Sequence, residues 1–138
     1  MTSFDSQIRL HKWQVDEAQR RLAQLRLLEE RFRADRDLLE AEVLNEQGVA
    51  SGGFENSLTY AAYAARLIER RQRLDRSIAE VAAQIAEALE ALGDAFAELK
   101  KFELAAEAAE TRARKRRDRL DRQAEDEVSL GIFRRQAK

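Results

Sequence analysis

Gly48-Val49-Ala50-Ser51-Gly52-Gly53 holds three of the five glycines of a chain that has no proline. Glycine reaches positive φ without a steric penalty and is a poor helix former, so residues 48–53 read as a loop. Strong helix formers lie on both sides, from about Phe4 to Gln47 and from Phe54 to about residue 130. Gly131 is placed to stop the second helix in a left-handed cap, leaving residues 131–138 as a tail. Gly93 lies inside that helix at a cost of about 1 kcal/mol relative to alanine. It reads as a tolerated defect, a close helix approach or a bend.

Working outward from the loop, both segments carry apolar residues three and four apart. In the first the series is Ile8, His11, Val15, Ala18, Leu22, Leu25, Glu29, Phe32, Arg36, Leu39, Val43 and Glu46. In the second, Tyr60, Leu67, Leu74, Val81, Ala88, Ala95, Phe102 and Ala109 alternate with Ala64, Arg71, Ile78, Ile85, Leu92, Leu99, Ala106, Ala113 and Leu120. This is the spacing of a coiled-coil seam. Two such helices joined by a short loop fold back on each other. The expectation is an all-α, elongated, antiparallel two-helix coiled-coil hairpin forming one domain, with the second helix the longer.

One register pairs Leu39 with Tyr60, Phe32 with Leu67, Leu25 with Leu74, Leu22 with Ile78, Val15 with Ile85 and Ile8 with Leu92. It also sets Glu29 against Arg71, so that two charged interruptions of the seam meet in one layer and fix the register. Slipping by whole heptads preserves the apolar pattern equally well. In this register Phe4 lies opposite Phe96, and the second helix runs on alone from about residue 98. Its stripe (Leu99, Phe102, Ala106, Ala109, Ala113 and Leu120) stays in phase there, which invites an intermolecular partner. The alternative is an amphipathic tail that frays or dimerises.

Composition narrows the chemistry. Charged residues make up 37%, yet 25 bases and 26 acids nearly cancel to a net charge of -1, which favours neither nucleic acid nor a membrane surface. Without cysteine there is no disulfide framework or thiolate metal site, and the single His11 cannot build a histidine cluster. The glycine loop carries no following lysine to cradle phosphate. Paired acids such as Glu29-Glu30 and Asp126-Glu127 lack a pocket to perturb them. No signal peptide or membrane span is expected. The reading is a cytoplasmic protein that is not an enzyme, with no cofactor and no metal.

Charge is unevenly spread. Residues 80–110 hold eight acids and two bases, whereas residues 112–122 hold seven bases and two acids. Asp118 and Asp121 interrupt the basic run, and it follows the coil instead of preceding it, which argues against a DNA-binding basic region. A face of this kind suits an acidic-lined protein partner. The candidate contact residues of the second helix are therefore Leu99, Phe102, Arg112, Arg116 and Arg119. At the loop end, Leu44, Val49, Phe54, Leu58 and Tyr63 cluster around a turn too small to bury them all. They form either a second contact surface or a cap on the coil.

The arrangement resembles the FliJ family of bacterial flagellar export components. The resemblance is carried by an arginine-rich first helix (Arg20, Arg21, Arg26, Arg31, Arg33, Arg36) and the glycine loop. The pattern Phe54…Leu58-x-Tyr60-x-x-Tyr63-x-x-x-Leu67-Ile68 follows, then Leu99-Lys100-Lys101-Phe102, the basic run and Gln123-x-x-Asp126-Glu127. The resemblance implies a coiled-coil stalk of the flagellar type III export apparatus, in the cytoplasm and peripheral to the inner membrane. Its implied partners are the export ATPase ring, the cytoplasmic domain of the export gate, and export chaperones. An injectisome stalk of similar shape and a homo-oligomeric coiled-coil scaffold are the alternative readings.

Overall fold

The structure is a computed structural model, and it describes residues 3–49 and 54–137. It is all-α. Helix α1 runs Asp5–Val49 and helix α2 runs Phe54–Gln136, and the two pack against each other as an antiparallel coiled-coil hairpin. The Ile8 amide donates to the Phe4 carbonyl at 2.9 Å to open α1, and Asp5 in the first turn complements the helix dipole. Gly48 and Val49 close α1 as helical residues, while residues 50–53 of the expected loop lie outside the described residues.

The expected stop at Gly131 is corrected: α2 continues through it to Gln136, so 131–136 is helix instead of a tail. A glycine inside a helix costs about 1 kcal/mol, which one further turn can offset. Arg134 and Arg135 supply that turn with cations at the negative end of the helix dipole.

By backbone packing the chain divides into two compact units, Asp16–Asp94 and Met1–Val15 with Ala95–Lys138. In the first, Leu22 and Leu25 of α1 pack with Val81 and Ala88 of α2, flanked by Phe32, Ile85 and Leu92. Leu39, only 1% exposed, is the most completely buried large side chain, and Leu67 and Ile78 are buried too. Each such leucine stabilises by roughly 1.5–3 kcal/mol relative to an exposed one. That burial, far more than any surface charge, holds the helices together.

The register differs from the expected one. Leu25 packs in a cluster with Val81, one heptad beyond Leu74. The cross-helix ion pairs say the same: Arg71 Nη2 reaches Glu40 at 3.2 Å, Arg36 Nε reaches Asp75 at 3.3 Å, and Arg70 Nη1 reaches Glu42 at 3.6 Å. Arg36 also approaches Glu40, at 3.7 Å. The expected Glu29–Arg71 layer is therefore corrected. Glu29 pairs instead with Arg33 on its own helix at 3.9 Å, and Arg71 belongs to Glu40. The physical reason is that a whole-heptad slip leaves every apolar side chain in phase, so the seam alone cannot choose between registers. The observed slip gives both Arg36 and Arg71 a carboxylate, with Glu40 shared between them.

In the second unit, Phe102 sits between two residues of α1. It stacks on the His11 ring with centroids 4.6 Å apart and planes 17° apart, and meets Phe4 at 6.4 Å in a tilted arrangement. Phe4 was expected opposite Phe96, which is instead 47% exposed. His11 Nδ1 is buried here without a hydrogen-bond partner, a cost that the aromatic stack must offset.

Two outcomes follow for stability. A Cβ added at Gly93 meets nothing within 4 Å, which removes the close-approach reading, and the residue lies within continuous helix. Gly93→Ala should therefore stabilise by about 0.5–1 kcal/mol in urea melts followed by circular dichroism; a loss of stability would reveal a backbone need for glycine. Second, Glu40→Arg and Arg71→Glu, each destabilising alone, should show a favourable coupling of about 0.5–1 kcal/mol when combined. The same cycle at Glu29 and Arg71 should give none, and coupling there would reinstate the other register.

Candidate partner-binding surfaces

The loop end of the hairpin is built where α1 finishes and α2 begins. Of the five residues expected there, Leu44 is exposed and borders a shallow groove with Leu39, Glu40, Val43 and Arg71. Tyr63 is half-buried. The side chains of Val49, Phe54 and Leu58 lie outside the described residues. The structure thus brings Leu44 within reach of the Arg71–Glu40 pair, a neighbourhood that the seam pattern did not suggest.

Tyr63 is not simply an apolar contact. Its hydroxyl donates to the Glu42 carboxylate across the two helices, and Arg70 pairs with the same carboxylate. The hydrogen bond to Glu42 raises the Tyr63 pKa to about 12, with partial desolvation and the charges of Glu42 and Glu46 adding to it and Arg70 opposing. A phenol that donates to an anion resists ionisation because losing the proton would set two negative charges face to face. Sequence reading missed this pair. Its only signal was a tyrosine on α2 and a glutamate on α1 at the right distance from the loop, which is visible only once the register is known.

A second groove flanks the same region, lined by Asp35, Leu38, Glu42, Arg70, Arg73 and Leu74 among others. Leu38, 70% exposed, and Leu27 were not singled out from the sequence because they fall beside the seam and not on it.

On α2 beyond Phe102, the expected contact residues separate into two groups. Phe102 is corrected: it is already packed against Phe4 and His11, so it is no free contact residue, and Leu99 is half-buried. Helix α1 reaches further along α2 than expected, by about one heptad, or roughly 10 Å at 1.5 Å per residue. Arg112, Arg116 and Arg119 are exposed, as is every residue from 112 to 130. Among the described residues none of the seven bases of 112–122 takes part in an ion pair. Leu104, Leu120, Val128, Leu130, Ile132 and Phe133 are exposed on the same helix. A helix stretch without packing depends on intrinsic propensity, and arginine and alanine are among the residues that sustain it best.

Among the described residues no group of acids and histidine could hold a metal, and no helix is long and apolar enough to cross a membrane. What the described surface offers is charge on the long helices of an all-α coiled-coil hairpin. The chain belongs to the FliJ family, since the family model described as "Flagellar FliJ protein" matches residues 1–138. No curated protein and no solved structure gives a significant match. Membership carries a general role in the flagellar export apparatus, and FliJ-family proteins are not enzymes.

The Tyr63–Glu42 bond has a pH signature. A group whose folded pKa is raised contributes its stability below the unfolded value of 10.0 and loses it as pH climbs through about 12. With Tyr60→Phe leaving Tyr63 as the only tyrosine, the tyrosinate absorbance should rise near pH 12, and Glu42→Gln should bring it back toward 10. An unchanged titration in Glu42→Gln would disprove the bond.

Proposed function

We propose that this chain is a stalk of the flagellar type III export apparatus, linking the export ATPase ring to the cytoplasmic domain of the export gate and assisting chaperones and their substrates. It works in the cytoplasm, peripheral to the inner membrane. The observation that carries the reading is the run Arg112–Arg122, exposed on all sides of α2, whose seven bases outnumber its two acids and form no ion pair among the described residues. Seven bases on a stiff helix suit an acidic-lined opening, where attraction speeds encounter and weakens with salt. Arg112, Arg116 and Arg119 are the residues assigned to the ATPase ring, with Leu99 at the margin of that surface. The loop end, with Leu44, Val49, Phe54, Leu58 and Tyr63, is assigned to the gate. Full-length match to a flagellar family favours the flagellar system over an injectisome.

Truncation after Glu110 keeps Phe102 on its partners and removes the bases. It should abolish ATPase binding at low salt in a pull-down or by surface plasmon resonance. Reversing Arg112, Arg116 and Arg119 to glutamate should slow association by roughly tenfold or more and flatten its salt dependence. Alanine at Phe54 and Tyr63 should weaken gate binding at unchanged helicity. Undiminished ATPase binding after truncation would sink the assignment of this end; loss of helicity at the loop end would make that cluster a cap.

A further inference from the structure

The exposed surface of α2 carries two opposite stripes with the same spacing. Glu87, Glu90 and Asp94 lie in the Asp16–Asp94 unit, all exposed and, among the described residues, none in an ion pair. Lys115, Arg119 and Arg122 lie in the other unit, likewise exposed and without an ion pair among the described residues. At about 100° per residue each triplet falls on one face of the helix. Read backwards, the acids step by four and then three residues (94, 90, 87); read forwards, the bases step by four and then three (115, 119, 122).

We propose that the basic stripe of one copy docks antiparallel along the acidic stripe of a second copy of this chain, Lys115 on Asp94, Arg119 on Glu90 and Arg122 on Glu87. Because α2 carries both stripes, an antiparallel pair makes the contact twice, the self-complementary pattern of a twofold dimer. At directly opposed positions like charges do not meet: Asp118 comes opposite Ala91, Asp126 opposite Ala83, and Lys101 opposite Ala108. One turn away Arg112 nears Lys101 and Asp126 nears Glu87, at a cost that the three direct pairs must outweigh. Near the centre of the pairing lie Leu104, Ala105 and Ala108, mostly small side chains that let two helices approach closely. A parallel pairing would set the bases of 112–122 against themselves, so the charges select direction as well as partner. The dimer covers the face assigned above to the ATPase ring. A free chain and a ring-bound chain therefore use the same bases in turn.

The experiment uses the purified full-length chain with no ATPase present, so its outcome is separate from that of the export reading. Sedimentation equilibrium at low salt should show a dimer that dissociates as salt rises. The variant Lys115→Glu/Arg119→Glu/Arg122→Glu and the variant Glu87→Arg/Glu90→Arg/Asp94→Arg should each raise the dimer dissociation constant roughly tenfold or more, at unchanged helicity by circular dichroism. Mixed in equal amounts, the two variants should dimerise again, because each reversed stripe now meets its opposite. A native chain that stays monomeric at low salt overturns the proposal. So does a dimer that persists in both variants, or a mixture that stays monomeric. Should a variant lose helicity, the native chain carrying Glu90→Cys and Arg119→Cys decides. It has no other cysteine, and under mild oxidation it should form intermolecular disulfides; none forming overturns the proposal.

Discussion

The Glu40 carboxylate, shared between Arg36 of its own helix and Arg71 of the opposite one, holds α1 and α2 at one heptad and not the next. A seam of leucine, isoleucine, valine and alanine gives most of the free energy of association, but it gives nearly the same amount at every whole-heptad slip. Arg36 and Arg71 keep access to water, so a counter-charge adds only a modest preference for the register that supplies one. The Arg36–Asp75 and Arg70–Glu42 pairs lie on the same stretch and act in the same sense. Each is partly exposed and worth well under the burial of one leucine. Weak interactions settle the register here because the strong ones are indifferent to it.

Setting the register also sets which side chains remain available. Tyr63 reaches Glu42, so its hydroxyl is committed, and the Glu42 carboxylate serves Arg70 as well. Phe102 is occupied by Phe4 and His11, which turns an expected contact residue into a structural one. What stays uncovered on α2 is the run from residue 112 onward, whose charge is almost wholly basic up to residue 122. Exposed arginine on a helix costs little in folding and keeps such a chain from collapsing onto an apolar neighbour.

The grooves described on this chain are open to solvent, so they do not raise the value of a few charges by burying them. Affinity comes instead from many exposed charges acting over a long helix, with fast encounter and strong dependence on salt. Such contacts are easily exchanged. That is compatible with the general export role that family membership carries, whereas a large apolar interface would release a bound partner slowly.

The amino-acid pattern by itself determined two helices, their antiparallel return and the longer second helix. Each of these follows from local preference or from periodicity, which are properties of sequence. It also located the basic run, because charge is additive along a chain and needs no partner to be counted. The tertiary structure alone decided the register: Arg71 with Glu40 and not Glu29, Phe4 against Phe102 and not Phe96. Heptad repetition makes the alternatives degenerate in every apolar contact, and the difference lies in charge pairs between helices that no single-helix pattern contains. The continuation of α2 through Gly131 was equally out of reach, since a glycine near the end of a helix stops it only when the following turn has nothing to gain, and here Arg134 and Arg135 gain from the helix dipole.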